Sequence, residues 1–277
     1  MNVLTIAHLT FLEARQRKLF WIILVIGLLA LGLFALGFHF TYRDIQASST
    51  NVQLIASQFS NLLLLMGLYG VSSLAVMLGV LVSVDTISGE IASGTIQTIV
   101  TKPLRRWEIV VGKWLGLALM LTAFILAMGS GFVLVVYAQV GYLPPHIIPG
   151  FGLMVLEGLV FLTLSILGGT RLPPLGNGVV VFMLYGVSFV GGWIEQVGSL
   201  LRNEAAVNIG IATSLLLPGE AMWRRASYLM QSAVLRDLGV NPFVTTSPPS
   251  PAMVGYTVGY IAVALAAAVY LFSKRDL

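Results

Sequence analysis

Long apolar runs separated by polar, proline-rich or glycine-rich stretches dominate this 277-residue chain. A helix that crosses a bilayer needs about 20 mostly apolar residues. Six stretches meet that length, at about 20–40, 61–84, 114–138, 151–169, 177–193 and 252–272. The runs are continuous rather than alternating, which excludes barrel strands. In lipid every backbone polar group must be satisfied inside the segment, so the runs predict helices. The expected fold is an all-α, polytopic membrane protein with one transmembrane domain over residues 1–277. The first run follows Arg15, Arg17 and Lys18 but exceeds the roughly 7–15-residue core of a cleavable signal. It is therefore expected to stay in place as the first span.

Composition sharpens this picture. Hydrophobic residues make up 57% of the chain and charged residues 9%, against about 25% charged in a soluble domain. Mean hydropathy is +0.93. The chain has no cysteine, which excludes disulfides, thiolate metal sites, iron–sulfur clusters and cysteine nucleophiles. A net charge of +4 reads here as the basic bias of cytoplasmic loops rather than as nucleic-acid affinity. With the N-terminus inside, the inner segments hold Arg15, Arg17, Lys18, Lys102, Arg105, Arg106, Lys113, Arg171, Lys274 and Arg275. The outer segments hold Arg43, Arg202, Arg224, Arg225 and Arg236. That distribution predicts both termini in the cytoplasm; the expected location of the chain is the cell (inner, cytoplasmic) membrane.

Four of the five outer cations lie in residues 194–251 and are matched in number by Glu195, Glu204, Glu220 and Asp237. This segment is expected to be extracytoplasmic or re-entrant. Its apolar stretch at 209–217 is too short to cross and ends at Pro218. Trp223, Arg224 and Arg225 read as an interface anchor. Pro248, Pro249 and Pro251 make a stiff, extended lead into the last span.

Residues 85–113 hold seven of the 26 charged residues in the chain. They read as two short helical pieces. Asp85 or Ser88 can cap the first, Ile87, Ile91 and Ile99 give it an apolar stripe, and Gly94 weakens its interior. Pro103 suits the first position of a second helix that runs into the third span. Trp107 and Trp114 would lie on one face at headgroup level, with Arg105, Arg106 and Lys113 against lipid phosphates. A solvated basic loop that only fixes topology fits the same residues equally well.

Gly89-Glu90, Gly94-Thr95, Pro103, Arg106, Glu108-Ile109 and Gly112-Lys113 resemble, at these spacings, the signature of the ABC-2-type transporter permeases. The closest likeness is to the subgroup that includes the nitrous-oxide-reductase maturation permeases. The span count, the basic amphipathic approach to the first span and the ending at 272–277 are similar too, whereas the stiff link at 168–176 is a departure. The resemblance implies a permease subunit that exports substrate by coupling to ATP hydrolysis in a separate ATPase. The cytoplasmic segment 85–113 would be its coupling elbow, with Glu90, Ile91, Gly94 and Thr95 against the ATPase. Pro103, Arg106, Glu108 and Lys113 would hold the elbow to the membrane and neighbouring helices. ATP and magnesium would sit on the partner, and a second copy of the chain would complete a homodimer in the lipid bilayer.

The residues themselves agree with a non-enzymatic subunit. There is no glycine-rich loop ending in Gly-Lys-Ser/Thr. His8, His39 and His146 are scattered, and no metal or cofactor site is expected of this chain. Gly112/Gly116 and Gly255/Gly259 are small-residue pairs that permit close helix packing. Glu157 is the isolated acid well inside a predicted span and is a candidate pathway residue. Two further readings stay open: a subunit that transmits motion to an extracytoplasmic partner without moving substrate, and an ion-coupled carrier with Glu157 as its proton site. An apolar lining does not distinguish lipid, drug or peptide as substrate.

Overall fold

The computed structural model describes residues 3–48, 52–92, 105–232 and 248–275. Among these residues the secondary structure is helical, with nine α-helices and no strand. They are α1 (Val3–Gln16), α2 (Lys18–Ser48), α3 (Val52–Ala92), α4 (Arg106–Val140), α5 (Ile147–Gly169), α6 (Pro174–Leu200), α7 (Glu204–Leu216), α8 (Gly219–Met230) and α9 (Pro251–Ser273). Six of them, α2 to α6 and α9, are long and apolar enough to cross a bilayer. Each of the six sequence runs lies inside one of these helices.

The helix ends follow local chemistry. Arg105 is extended, and its backbone N–H donates to Glu108 Oε2 at 3.1 Å, which starts α4. Gly141, at φ 71°, closes the same helix by donating to the Tyr137 carbonyl at 2.8 Å. Pro174 occupies the first turn of α6 and Pro251 that of α9, where a missing N–H costs nothing.

Helices α3, α4 and α5 form the centre of the bundle. Leu64, Leu68 and Leu78 of α3 pack with Leu117, Leu121 and Ile125 of α4 and with Leu162 and Ile166 of α5. Helices α2, α6 and α9 lie around them. Trp21, Leu29 and Leu33 of α2 and Met183 and Val187 of α6 face outward, as lipid-facing residues do. The amphipathic α1 packs on α4 through Ile6, Thr10 and Ala14. Its seat is the Gly112/Gly116 face, so that small-residue pair serves a contact within the chain. The Gly255 and Gly259 positions have open space where a Cβ would be.

The segment after the fifth apolar run differs most from its sequence reading. Helix α6 continues seven residues beyond Trp193, to Leu200. The chain then reverses at Arg202, which adopts φ 55°. Helix α7 packs back along α6, and α7 and α8 are bent by 110° about Leu217 and Pro218. The pair forms a sharply bent hairpin. Its tip is held by Ser188 of α6, whose hydroxyl donates to the Leu217 carbonyl at 3.0 Å and accepts from the Glu220 N–H at 3.3 Å.

At the far end of α8, buried Asn61 of α3 donates to the Met230 carbonyl at 2.9 Å and accepts from the Ser232 N–H at 3.0 Å. This one side chain ties the last turn of α8 to the bundle. Asn61→Ala is expected to destabilise the protein by about 1–2 kcal/mol, from two lost buried hydrogen bonds. Hydrogen exchange should rise in residues 219–232 and not in α4; uniform exchange across both would contradict the assignment.

Candidate functional site

Two polar regions stand out in this apolar bundle. The first lies at the end where α3 and α9 stop and α4 and α6 begin. Lys113 is buried and donates from Nζ to the Thr86 carbonyl at 2.9 Å. Arg106 donates to the carbonyls of Ser273 and Arg275, at 2.9 and 2.7 Å, and Arg275 in turn donates to the carbonyl of Thr170. Arg17 lies 2.9 Å from Glu13 and 3.7 Å from Asp85 and donates to the Val82 carbonyl at 3.3 Å. Arg106 and Arg275 meet carbonyls at the C-terminal ends of α9 and α5, where the helix leaves acceptors unpaired and its dipole is negative, whereas Arg17 and Lys113 meet the Val82 and Thr86 carbonyls within α3. Four helix ends and the start of α2 are thereby fastened together.

This arrangement corrects three expectations. The stretch from Asp85 is not a separate, capped helix. Helix α3 runs on to Ala92, and the hydroxyls of Thr86 and Ser88 fold back onto the Val82 and Val84 carbonyls inside it. Lys113 is buried on a protein carbonyl, away from lipid phosphates, and Arg106 donates to two protein carbonyls. Trp114 turns inward, with its indole N–H on Thr163 Oγ1 at 2.8 Å, while Trp107 faces outward. Of the residues singled out for ATPase contact, Glu90 and Ile91 lie in the last turn of α3. Gly94, Thr95 and Pro103 fall outside the described residues.

The second region is at mid-depth, around the hairpin tip. Glu157 is fully buried halfway along α5, and Ser72 of α3 donates to its Oε2. One turn earlier on α3, the Tyr69 hydroxyl donates to Glu220 Oε1 at 3.2 Å. Tyr69 also packs its ring on Trp223, 5.0 Å between centroids. One turn along α8 from Glu220, Arg224 forms an ion pair with Glu195 of α6. Its Nη1 lies 2.6 Å from Oε1, and its Nη2 donates to Oε2 at 2.7 Å and to Ser214 at 3.1 Å. Both partners are buried, at 3% and 5% side-chain exposure. A cavity of about 300 Å³, bounded by α7, α8 and residues 248–250, reaches Glu195 and Arg224.

Glu157 is thus one of three buried acids at this depth. Glu195 and Glu220 join it because α6 extends past Trp193 and the bend at Leu217 and Pro218 turns α8 onto α5. Trp223 and Arg224 do not form an interface anchor; both are buried, and Arg225 donates to the Pro249 carbonyl at 2.6 Å. A signal for this cluster exists in the sequence. A Pro218-Gly219 breaker follows an apolar run, and Glu220 and Arg224 are four apart, hence on one helix face. The partner on α6 is 29 residues away from Arg224 and carries no local signal.

Comparison with protein-family models finds one described as ABC-2 family transporter protein, which matches residues 4–277. A comparison with curated proteins found no match.

Proposed function

The chain belongs to the ABC-2 family of transporter proteins, and from that membership we propose that it is the permease subunit of an exporter driven by a separate ATP-binding cassette ATPase. The observation that carries this reading is the family match across nearly the whole chain, joined to a helix built to carry force. Helix α3 is continuous over 41 residues, about 60 Å at the usual rise. It links the Glu90-Ile91 turn to Tyr69 and Ser72 beside the buried acids. Motion imposed by an ATPase at Glu90 and Ile91 would therefore reach Tyr69 and Ser72 along one continuous helix; Gly94 and Thr95, proposed for the same contact, lie outside the described residues. Arg106, Glu108 and Lys113, with Pro103 before them, act as the support that keeps the start of α4 registered to that rod.

ATP and magnesium belong to the ATPase in this scheme, and their hydrolysis shifts the bundle between two packings. Two copies of the chain related by a two-fold axis give the complete membrane unit. Both termini face the cytoplasm, on the side of the ATPase.

Purification of the tagged chain from its native membrane should recover a P-loop ATPase. Reconstituted vesicles should move substrate only when ATP and that ATPase are present. Glu90→Arg should lower recovery of the ATPase severalfold while leaving the permease folded. Transport by the chain alone under an ion gradient would overturn the proposal.

A further inference from the structure

The buried cluster holds one guanidinium, Arg224, against three carboxyl groups, Glu157, Glu195 and Glu220, all less than 5% exposed. Arg224 is committed to Glu195 through both terminal nitrogens. Glu157 and Glu220 interact electrostatically with each other. Glu157 Oε1 and Glu220 Oε2 are both buried without a hydrogen-bond partner. Arg224 acts electrostatically on Glu220 as well as on Glu195, so ionised Glu157 and Glu220 would share a single positive charge with Glu195 in a low-dielectric interior, a costly arrangement.

Among the described residues packed around the pair, Arg224 is the one cation turned towards it; Arg225 of α8 is on the Pro249 carbonyl. Helix α3 contributes Tyr69 and Ser72, and α6 contributes Tyr185, Ser188 and Glu195. Helix α7 contributes Ser214, already on Arg224. The charged residues of α4 are Arg106, Glu108 and Lys113, all within its first eight residues, and α9 has none. Among the described residues, no hydrogen-bond donor reaches the two unpartnered oxygens. A cavity of about 300 Å³, lined by Ala221 and Arg224, lies on the neighbouring face of α8 and has room for several waters.

We propose that Glu157 and Glu220 together form a proton-binding site at the tip of the bent hairpin, with one of the two carboxyls carrying an exchangeable proton. The proton comes from water in the cavity and returns there. With it bound, a neutral acid faces a single carboxylate and α8 stays seated against α3 and α5. Without it, two buried anions repel across the α5–α8 contact, against the Ser188 hydrogen bonds that hold the hairpin tip. Proton occupancy thus biases the position of the hairpin, whether or not an ATPase drives the bundle.

Infrared spectroscopy of the purified full chain in lipid nanodiscs tests this without any partner. At neutral pH the wild type should show the carbonyl band of a protonated carboxyl group, shifted on transfer from H2O to D2O. Glu157→Gln should remove or move that band, and so should Glu220→Gln. Glutamine keeps the size and hydrogen-bonding capacity of glutamate, and the wild-type measurement stands alone if a variant fails to fold. Absence of the band in the wild type, absence of the D2O shift, or failure of either folded variant to change the band overturns the proposal. None of these outcomes depends on the transporter reading, which rests on ATPase recovery.

Discussion

Arg224→Met is expected to be the most damaging single substitution in the bundle, lowering stability by about 3–5 kcal/mol. The arginine is the cation of a buried cluster that contains three acids. Removing it strands Glu195 and also takes away the positive charge that acts on Glu220. Glu195→Gln should cost clearly less, because Arg224 then still faces Glu220 and an amide oxygen can accept from Nη2. Replacing both, as Glu195→Leu with Arg224→Met, should recover part of the loss but not all of it. Pairs replaced together by apolar residues are often neutral, whereas here Glu220 would remain without its neighbouring cation. Thermal unfolding in detergent, followed by loss of the monodisperse peak, gives the ranking. Equal losses for Arg224→Met and Glu195→Gln would mean that Arg224 serves Glu195 alone.

The crossing helices were legible from the sequence because lipid leaves one solution to a long apolar run, and each run found its helix. Their ends were less legible. Asp85 and Ser88 resemble helix caps, yet α3 passes through them to Ala92. A helix already nucleated over the preceding span extends at little cost, since only the first turn is expensive. The charges misled for a related reason. Arg224, Glu195, Arg106 and Lys113 look like surface or headgroup residues when read one at a time. Each is satisfied instead by a partner on another helix, at sequence separations from 27 for Lys113 and Thr86 to 169 for Arg106 and Arg275. Periodicity reports which face of a helix is apolar; it does not report a polar partner brought up by the fold. Glu157 was visible as an anomaly, while the residues that explain it, Tyr69, Ser72 and Glu220, became visible only once α3, α5 and α8 were placed together.

Gly116→Val is expected to release α1 from the bundle. A Cβ at residue 116 would lie 2.4 Å from the Ala7 carbonyl oxygen and 2.9 Å from the Thr10 Cβ. Neither atom is the tip of a flexible side chain, so the clash cannot be relieved by a rotamer change. Helix α1 must move as a unit, and it can, because its attachment is the narrow stripe of Ile6, Thr10 and Ala14. The cost of such overpacking is about 3 kcal/mol, comparable with what a short helix gains by docking a few buried side chains. The bound state therefore loses its margin, whereas the α3–α4–α5 core, which does not use this seat, keeps its own. Hydrogen exchange should show residues 3–16 losing protection while α4 and α5 keep theirs. Gly70→Ala is the matched control: no atom lies within 4 Å of its Cβ position, and alanine favours helix over glycine. Protection of α1 that survives Gly116→Val would show that the α1–α4 contact tolerates separation by a side chain. The Gly112/Gly116 face would then be free for another helix, and the seat of α1 would have to be sought in Arg17 and its hold on Asp85 and the Val82 carbonyl.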